Sequence, residues 1–214
     1  MIRAIFFDLD GTLIDCADLH YEALNRALRD CFFAEIQRED HLRVFNGLPT
    51  KVKLELLAQR GHIGKHDMEN IANLKQQYTV KMAPEHVVPD PVKTEMCWAL
   101  AQNYILFVVS NCVSASVTML MSLAGLSEFF DSAVSNQDVK NAKPAPDPYL
   151  LAMDRLSGYL ITDKREALVI EDNEKGVQSA QSAGLEVVQL QYPYITLGVM
   201  RAVIAAAERK LAAG

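Results

Sequence analysis

Ile2-Arg3-Ala4-Ile5-Phe6-Phe7-Asp8-Leu9-Asp10-Gly11-Thr12 is the stretch that decides the fold. A β-branched and aromatic run that stops abruptly at a carboxylate reads as a buried strand with a polar turn at its carboxyl end. The same signature recurs down the chain. Tyr104 to Val109 stops at Ser110 and Asn111, Ala167 to Ile170 stops at Glu171 and Asp172, and Leu185 to Leu190 is a fourth run. Ser132 to Ser135 is a shorter candidate. Continuous apolar runs, rather than alternating ones, suit strands covered on both faces of a parallel sheet.

Helical patterns separate these strands: Pro91 to Gln102, Ser114 to Ala124 with Gly125 as its stop, Asp147 to Leu156, and Lys175 to Ala183 with Gly184 as its stop. Strands alternating with helices predict an α/β fold with a doubly wound, Rossmann-like parallel sheet. Ile195 to Ala213 reads as a closing helix.

The segment 15–82 breaks the alternation. It reads as helices alone, over Ala17 to Cys31, Arg38 to Phe45, Thr50 to Arg60 and His66 to Met82, punctuated by Gly47-Leu48-Pro49 and Gly61-His62-Ile63-Gly64. The expectation is an inserted all-helical cap domain at 15–82, with residues 1–14 and 83–214 forming the core.

With 214 residues, half of them hydrophobic and 22% charged, the chain has ample material for a core without disulfide or metal staples. A net charge of -6 with no block of like charge gives no general attraction for nucleic acid, so an anionic substrate has to be held by local cations. Cys16, Cys31, Cys97 and Cys112 are scattered, without zinc spacing, and read as reduced thiols. No stretch approaches the roughly 20 apolar residues of a membrane span. The expectation is a cytoplasmic protein.

Ligands of open α/β sheets bind outside the carboxyl ends of the strands, so the polar residues there carry the chemistry. Asp8 and Asp10, at i and i+2 on extended chain, point to one side and repel unless a cation such as Mg²⁺ sits with them. A chance match to Asp-x-Asp-Gly-Thr has a frequency on the order of 10⁻⁵ per position, far below what an Asp-rich turn would need. Ser110 and Asn111 can donate hydrogen bonds to phosphate oxygens without adding charge. Lys143, before Pro144, can neutralise phosphate. Glu171 and Asp172 are a second source of carboxylates, although an acidic helix start would look the same.

The order Asp8-Leu9-Asp10-Gly11-Thr12, Ser110-Asn111, Lys143-Pro144 and Glu171-Asp172-Asn173 resembles the haloacid dehalogenase superfamily, and the helical insertion resembles its cap. The resemblance implies an aspartyl-phosphate on Asp8 and a general acid, then base, at Asp10. It implies that Thr12 holds the motif loop and contributes to substrate binding, with Ser110, Asn111 and Lys143 on the phosphoryl group. It places Mg²⁺ on the Asp8 carboxylate, the Asp10 carbonyl and Asp172, with Glu171 on or near the metal. True dehalogenases of the superfamily lack an acid where Asp10 stands. Asn173 and Cys16 depart mildly from the pattern, at supporting positions.

These expectations describe a Mg²⁺-dependent phosphatase acting on a small phosphorylated metabolite: a sugar phosphate, a nucleotide or a phosphoglycolate-like acid. His20 and Lys75 resemble cap residues of β-phosphoglucomutase, though the arginine expected near Gly47 is missing, with Thr50 at its place and Lys51 one step off. The alternatives are therefore a phosphomutase of that type or a non-catalytic binding protein on this fold. A histidine and a lysine on helix faces are ordinarily solvated.

Overall fold

The structure is a computed structural model and describes residues 1–213. The chain divides into two compact units, Cys16–Val87 and the remainder, residues 1–15 with the segment from Val88 onward.

The chain opens with β1 (Ala4–Phe7), every residue of which is buried. Ile2 and Arg3, read as part of this strand, lie outside it, although the Arg3 amide donates to the Glu166 carbonyl beside it. The helical unit follows, with α1 (Ala17–Asp30), a short turn α2 (Arg38–Asp40) running into a π turn over His41–Phe45, α3 (Thr50–Gln59) and α4 (Met68–His86). The helix expected over Arg38 to Phe45 is therefore split. The one expected to end at Met82 starts at Met68, after a 3₁₀ turn over Lys65–Asp67, and continues through Pro84 to His86. Leu24, Leu28, Phe45, Leu54, Leu57 and Ile71 are the centre of this unit's own core.

The sheet-bearing unit resumes with α5 (Pro91–Ala101), β2 (Ile105–Val109), α6 (Ser114–Leu123), β3 (Ser132–Val134), α7 (Asp147–Leu156), β4 (Ala167–Glu171), α8 (Glu174–Ser182), β5 (Glu186–Gln189) and α9 (Leu197–Ala213). Asp90 caps α5 through the Val92 amide, and Pro91 occupies the first turn, where its missing N–H costs nothing.

The sheet has the order β3-β2-β1-β4-β5, all parallel. Ala4, Phe6, Phe107, Val109, Tyr149 and Val169 belong to one buried cluster, while Ile5, Phe7 and Val108, pointing the other way, are equally buried. Burying one such Phe contributes about 1.5–3 kcal/mol. β5 corrects the reading of Leu185 to Leu190 as a strand buried on both faces. It is an edge strand, half-buried, whose Glu186 pairs with Lys210 at the surface. The strand order reverses direction between β1 and β4. Phe7 is level with Val108 on one side and Ile170 on the other, so Asp8 emerges beside Val109 and Glu171 at this switch point.

Candidate active site at the carboxyl ends of the strands

Past Phe7 the chain leaves the sheet and turns back on itself. The Asp8 amide donates to the Ile170 carbonyl, the Leu13 and Ile14 amides to the Leu9 carbonyl, and the Gly11 amide to the Ile14 carbonyl. Gly11 has a φ of +89°, and a Cβ there would stand 2.2 Å from Asp172 Oδ2. Only glycine meets both requirements. The turn corrects the picture of Asp8 and Asp10 on extended chain: β1 has already ended. Asp8 is buried and Asp10 half-buried.

Lys143 is the hub. Its buried ammonium donates to Asp8 Oδ1 at 2.7 Å, to Glu171 Oε1 at 2.5 Å and to the Val109 carbonyl at 2.6 Å. All three of its donors are thereby used. Burial alone would lower its pKa, but the charges of Asp8 and Glu171 outweigh that and raise it. The acids are also raised, which for a carboxylate favours the neutral form. Burial lifts Glu171 to about 7 against the pull of Lys143, with Asp8 adding to the rise. Burial and then the Asp8 charge lift Asp172 to about 6.

Asp8, Glu171 and Asp172 each bring a carboxylate oxygen within 4.8 Å of the other two. Glu171 Oε2 is buried and has no hydrogen-bond partner among the described residues. Three hard oxygen donors, excess negative charge over one ammonium, and an unpartnered oxygen form a set that Mg²⁺ fits. The Asp10 carboxylate, expected with the metal group, is not among these three. The resemblance assigned its carbonyl, which lies in the turn after β1.

Asn111, expected to donate to phosphate, also binds the Lys143 backbone. Its Nδ2 donates to the Lys143 carbonyl and its Oδ1 accepts from the Lys143 amide, at 3.1 and 3.0 Å. It fixes the segment that delivers the ammonium. Ser110 is buried, and its Oγ accepts from the Cys112 amide. Thr12 is wholly buried, and its hydroxyl has no hydrogen-bond partner among the described residues. That placement suits a role inside the loop rather than contact with a substrate.

Tyr149 and Gly176 escaped the sequence reading, and Asn173, read there as a supporting position, gains a specific role. Tyr149, on the buried face of α7, donates to Glu171 Oε1 at 2.6 Å. It shares a stripe with Ala152, Met153 and Leu156, and a phenol on an apolar stripe needs a partner for its hydroxyl, which was the available signal. Gly176 lets α8 approach so closely that a Cβ would lie 1.9 Å from Glu171 Cδ. Asn173 caps α8 through the Lys175 and Gly176 amides while its Nδ2 reaches Asp172 Oδ1. The segment after β5 braces the loops from behind. Gln189 donates to the Asp172 carbonyl, the Tyr192 amide donates to the Gly11 carbonyl, and buried Lys93 donates to the Pro193 and Ile195 carbonyls.

Within the helical unit, His20 and Lys75 are buried, contrary to the surface expectation, with Lys75 Nζ 3.4 Å from His20 Nδ1. Lys53 and His41 are buried there too. Among the described residues, no helix is long and apolar enough to cross a membrane.

The chain is similar to known proteins. A phosphorylated carbohydrates phosphatase of Thermotoga maritima is 28% identical, over 86% of this chain and 83% of its own. A pyrophosphatase PpaX of Bacillus velezensis is 30% identical, over 86% and 80%. The β-phosphoglucomutase structure from Clostridium difficile, at 18% identity, shares the fold with a TM-score of 0.82, over 99% of this chain and 100% of its own. The profile of the family described as haloacid dehalogenase-like hydrolase matches residues 5–190, the whole span from β1 to the end of β5, and the chain belongs to that family.

Proposed function

We propose that the protein is a Mg²⁺-dependent phosphatase that hydrolyses a small phosphorylated metabolite through an aspartyl-phosphate on Asp8. The observation that carries this reading is the convergence of Asp8, Glu171 and Asp172, with the Lys143 ammonium paired to the first two. The names of the relatives, phosphatases of phosphorylated compounds, support it.

Asp8 attacks phosphorus as the bond to the ester oxygen breaks, and Asp10 gives that oxygen its proton. Asp10 then takes a proton from the water that attacks the acyl phosphate, freeing phosphate and restoring Asp8. Lys143 opposes the phosphoryl charge and, through Asp8 Oδ1, holds the nucleophile in place. Ser110 lies at the end of β2, where its hydroxyl can reach a phosphoryl oxygen. Asn111 acts through the backbone of Lys143. Asp8, Glu171 and Asp172 would hold Mg²⁺, which would supply, when bound, positive charge to offset that of the phosphoryl group. The helical unit, 16–87, is inferred to act as a cap that selects the ester.

The buried His20–Lys75 pair favours a second reading, phosphoryl transfer of the β-phosphoglucomutase type. One experiment addresses both. The protein is incubated with a panel of phosphate monoesters and with β-glucose 1-phosphate, with and without glucose 1,6-bisphosphate, in Mg²⁺, in Ca²⁺ or in EDTA. Free phosphate from a monoester in Mg²⁺ only, without isomer, is the expected result. Full activity in Ca²⁺ alone or in EDTA rejects the metal reading, since Ca²⁺ prefers more and longer bonds. Glucose 6-phosphate formed only with the bisphosphate, with little free phosphate, replaces hydrolysis with the mutase.

A further inference from the structure

Glu171 is wholly buried, and its two oxygens are treated unequally. Oε1 accepts from both the Lys143 ammonium and the Tyr149 hydroxyl, at 2.5 and 2.6 Å, while Oε2 accepts from no described residue. Both donors approach from fixed positions. Lys143 is divided among Glu171, Asp8 and Val109, and its backbone is gripped by Asn111. Tyr149 is wholly buried, its ring stacked on Phe6 at 6.3 Å between centroids and lying 5.0 Å from the Lys143 ammonium. Gly176 closes the remaining side.

From this asymmetry we propose that Tyr149 is a positioning residue for the divalent cation: its hydroxyl pins Glu171 Oε1 and so reserves Oε2 as a cation ligand. The inference rests on the metal reading of the site. Lys143 alone cannot do this, because one donor from an ammonium already shared with Asp8 leaves the carboxylate free to turn about its last bond. A second donor on the same oxygen, from a rigid aromatic, removes that freedom. Groups behind metal ligands typically influence affinity about 10–100-fold.

The test is calorimetric titration of the whole, metal-stripped protein with Mg²⁺, comparing wild type with Tyr149→Phe, which keeps the ring and loses only the hydroxyl. The expected result is a roughly tenfold weaker Mg²⁺ affinity, with the metal-free melting temperature within a few degrees of wild type and the substrate KM unchanged at saturating Mg²⁺. In a Glu171→Gln background the same change should weaken Mg²⁺ binding less than about twofold, because the group it positions is gone. An unchanged affinity in Tyr149→Phe, or an equal loss in the Glu171→Gln background, overturns the proposal while leaving the metal reading intact. Tyr149→Leu provides the check on packing: weak binding by Leu with normal binding by Phe assigns the effect to the ring and overturns the hydroxyl's role. Failure of wild type to bind millimolar Mg²⁺ removes the metal reading and this inference with it.

Discussion

The strand ends and the helical unit each bury a group of ionisable side chains, and the two groups are of opposite composition. At the strand ends, three carboxylates gather around one ammonium, and the attraction is strong enough to raise the lysine pKa despite complete burial. In the helical unit, burial first, and then the charges of Lys75, Lys53 and His41, push the pKa of His20 well below 6.5. His41 is lowered to about 4 by burial, then Lys53 and Arg38, with Asp18 opposing, and neither ring nitrogen has a hydrogen-bond partner among the described residues. Equal burial thus gives opposite outcomes. A buried base keeps its proton where acids face it and gives it up where cations do.

The contrast breaks most completely if Asp8 is not the group on which the strand-end cluster acts. Asp8→Asn keeps the shape and loses the nucleophile, so turnover should fall by at least about a thousandfold. Circular dichroism and melting temperature should hold, since the change also relieves repulsion with Glu171 and Asp172. Activity within tenfold of wild type, with the fold unchanged, would reject the assignment.

Lys143→Met removes the one cation the acids share. The expected loss in kcat/KM is at least about 3 kcal/mol of transition-state stabilisation, roughly a hundredfold. The metal-free protein should also melt lower, because buried Asp8 and Glu171 lose their ion-pair partner, with Mg²⁺ recovering part of the difference. A loss under tenfold would mean that another cation neutralises the phosphoryl group.

The helical cluster supplies the smallest effect and the sharpest test of sign. Folded, His41 stays neutral down to about pH 4, whereas unfolded it protonates near 6.5. Between those values the unfolded chain binds more protons, so the stabilisation is complete above pH 6.5 and is lost as pH falls toward 4. The groups around His41 are the Tyr21 ring at 5.1 Å, Lys53, Arg38, Asp18 and His20. His41→Phe removes the titration. Urea unfolding at pH 7.5 and 5.0 should show wild type losing on the order of 2 kcal/mol more than the variant over that interval. Equal losses would show that His41 takes up its proton as readily in the folded protein as in the unfolded chain.

How much could be read from sequence alone differs between the two regions for the same reason the regions differ. Asp8, Ser110, Glu171 and Asp172 were legible because each stands where an apolar run stops, and parallel register sets those stops side by side. Lys143 was legible only through the resemblance, since nothing local says that a lysine after Ala142 will be buried. Asn111 was legible as a site residue but its two bonds to the Lys143 backbone were not, because they cross a loop whose path the sequence does not state. In the helical unit, Ile71, Lys75, Thr79 and Ala83 are buried along one face of α4 at steps of four. The lysine's place in that stripe was visible, but its weight was set against the habit of lysines to face water. The split over Arg38 to Phe45 left no comparable mark, as a single π turn is too short for its i→i+5 bonding to imprint a pattern on the sequence.

The bracing segment behind the strand ends bears on how the molecule can be shortened or rebuilt. Every residue of the four motifs lies before Leu190, and the family profile itself ends there. Yet the Gly11 carbonyl is held by the Tyr192 amide, and the Pro193 and Ile195 carbonyls are tied by buried Lys93 to α5. A fragment trimmed to the motifs would carry the full set of reacting groups on a loop that has lost its backstop. A graft of Asp8-Leu9-Asp10-Gly11-Thr12 onto another parallel sheet would need residues 191–195 and Lys93 as cargo, although none of them touches the chemistry.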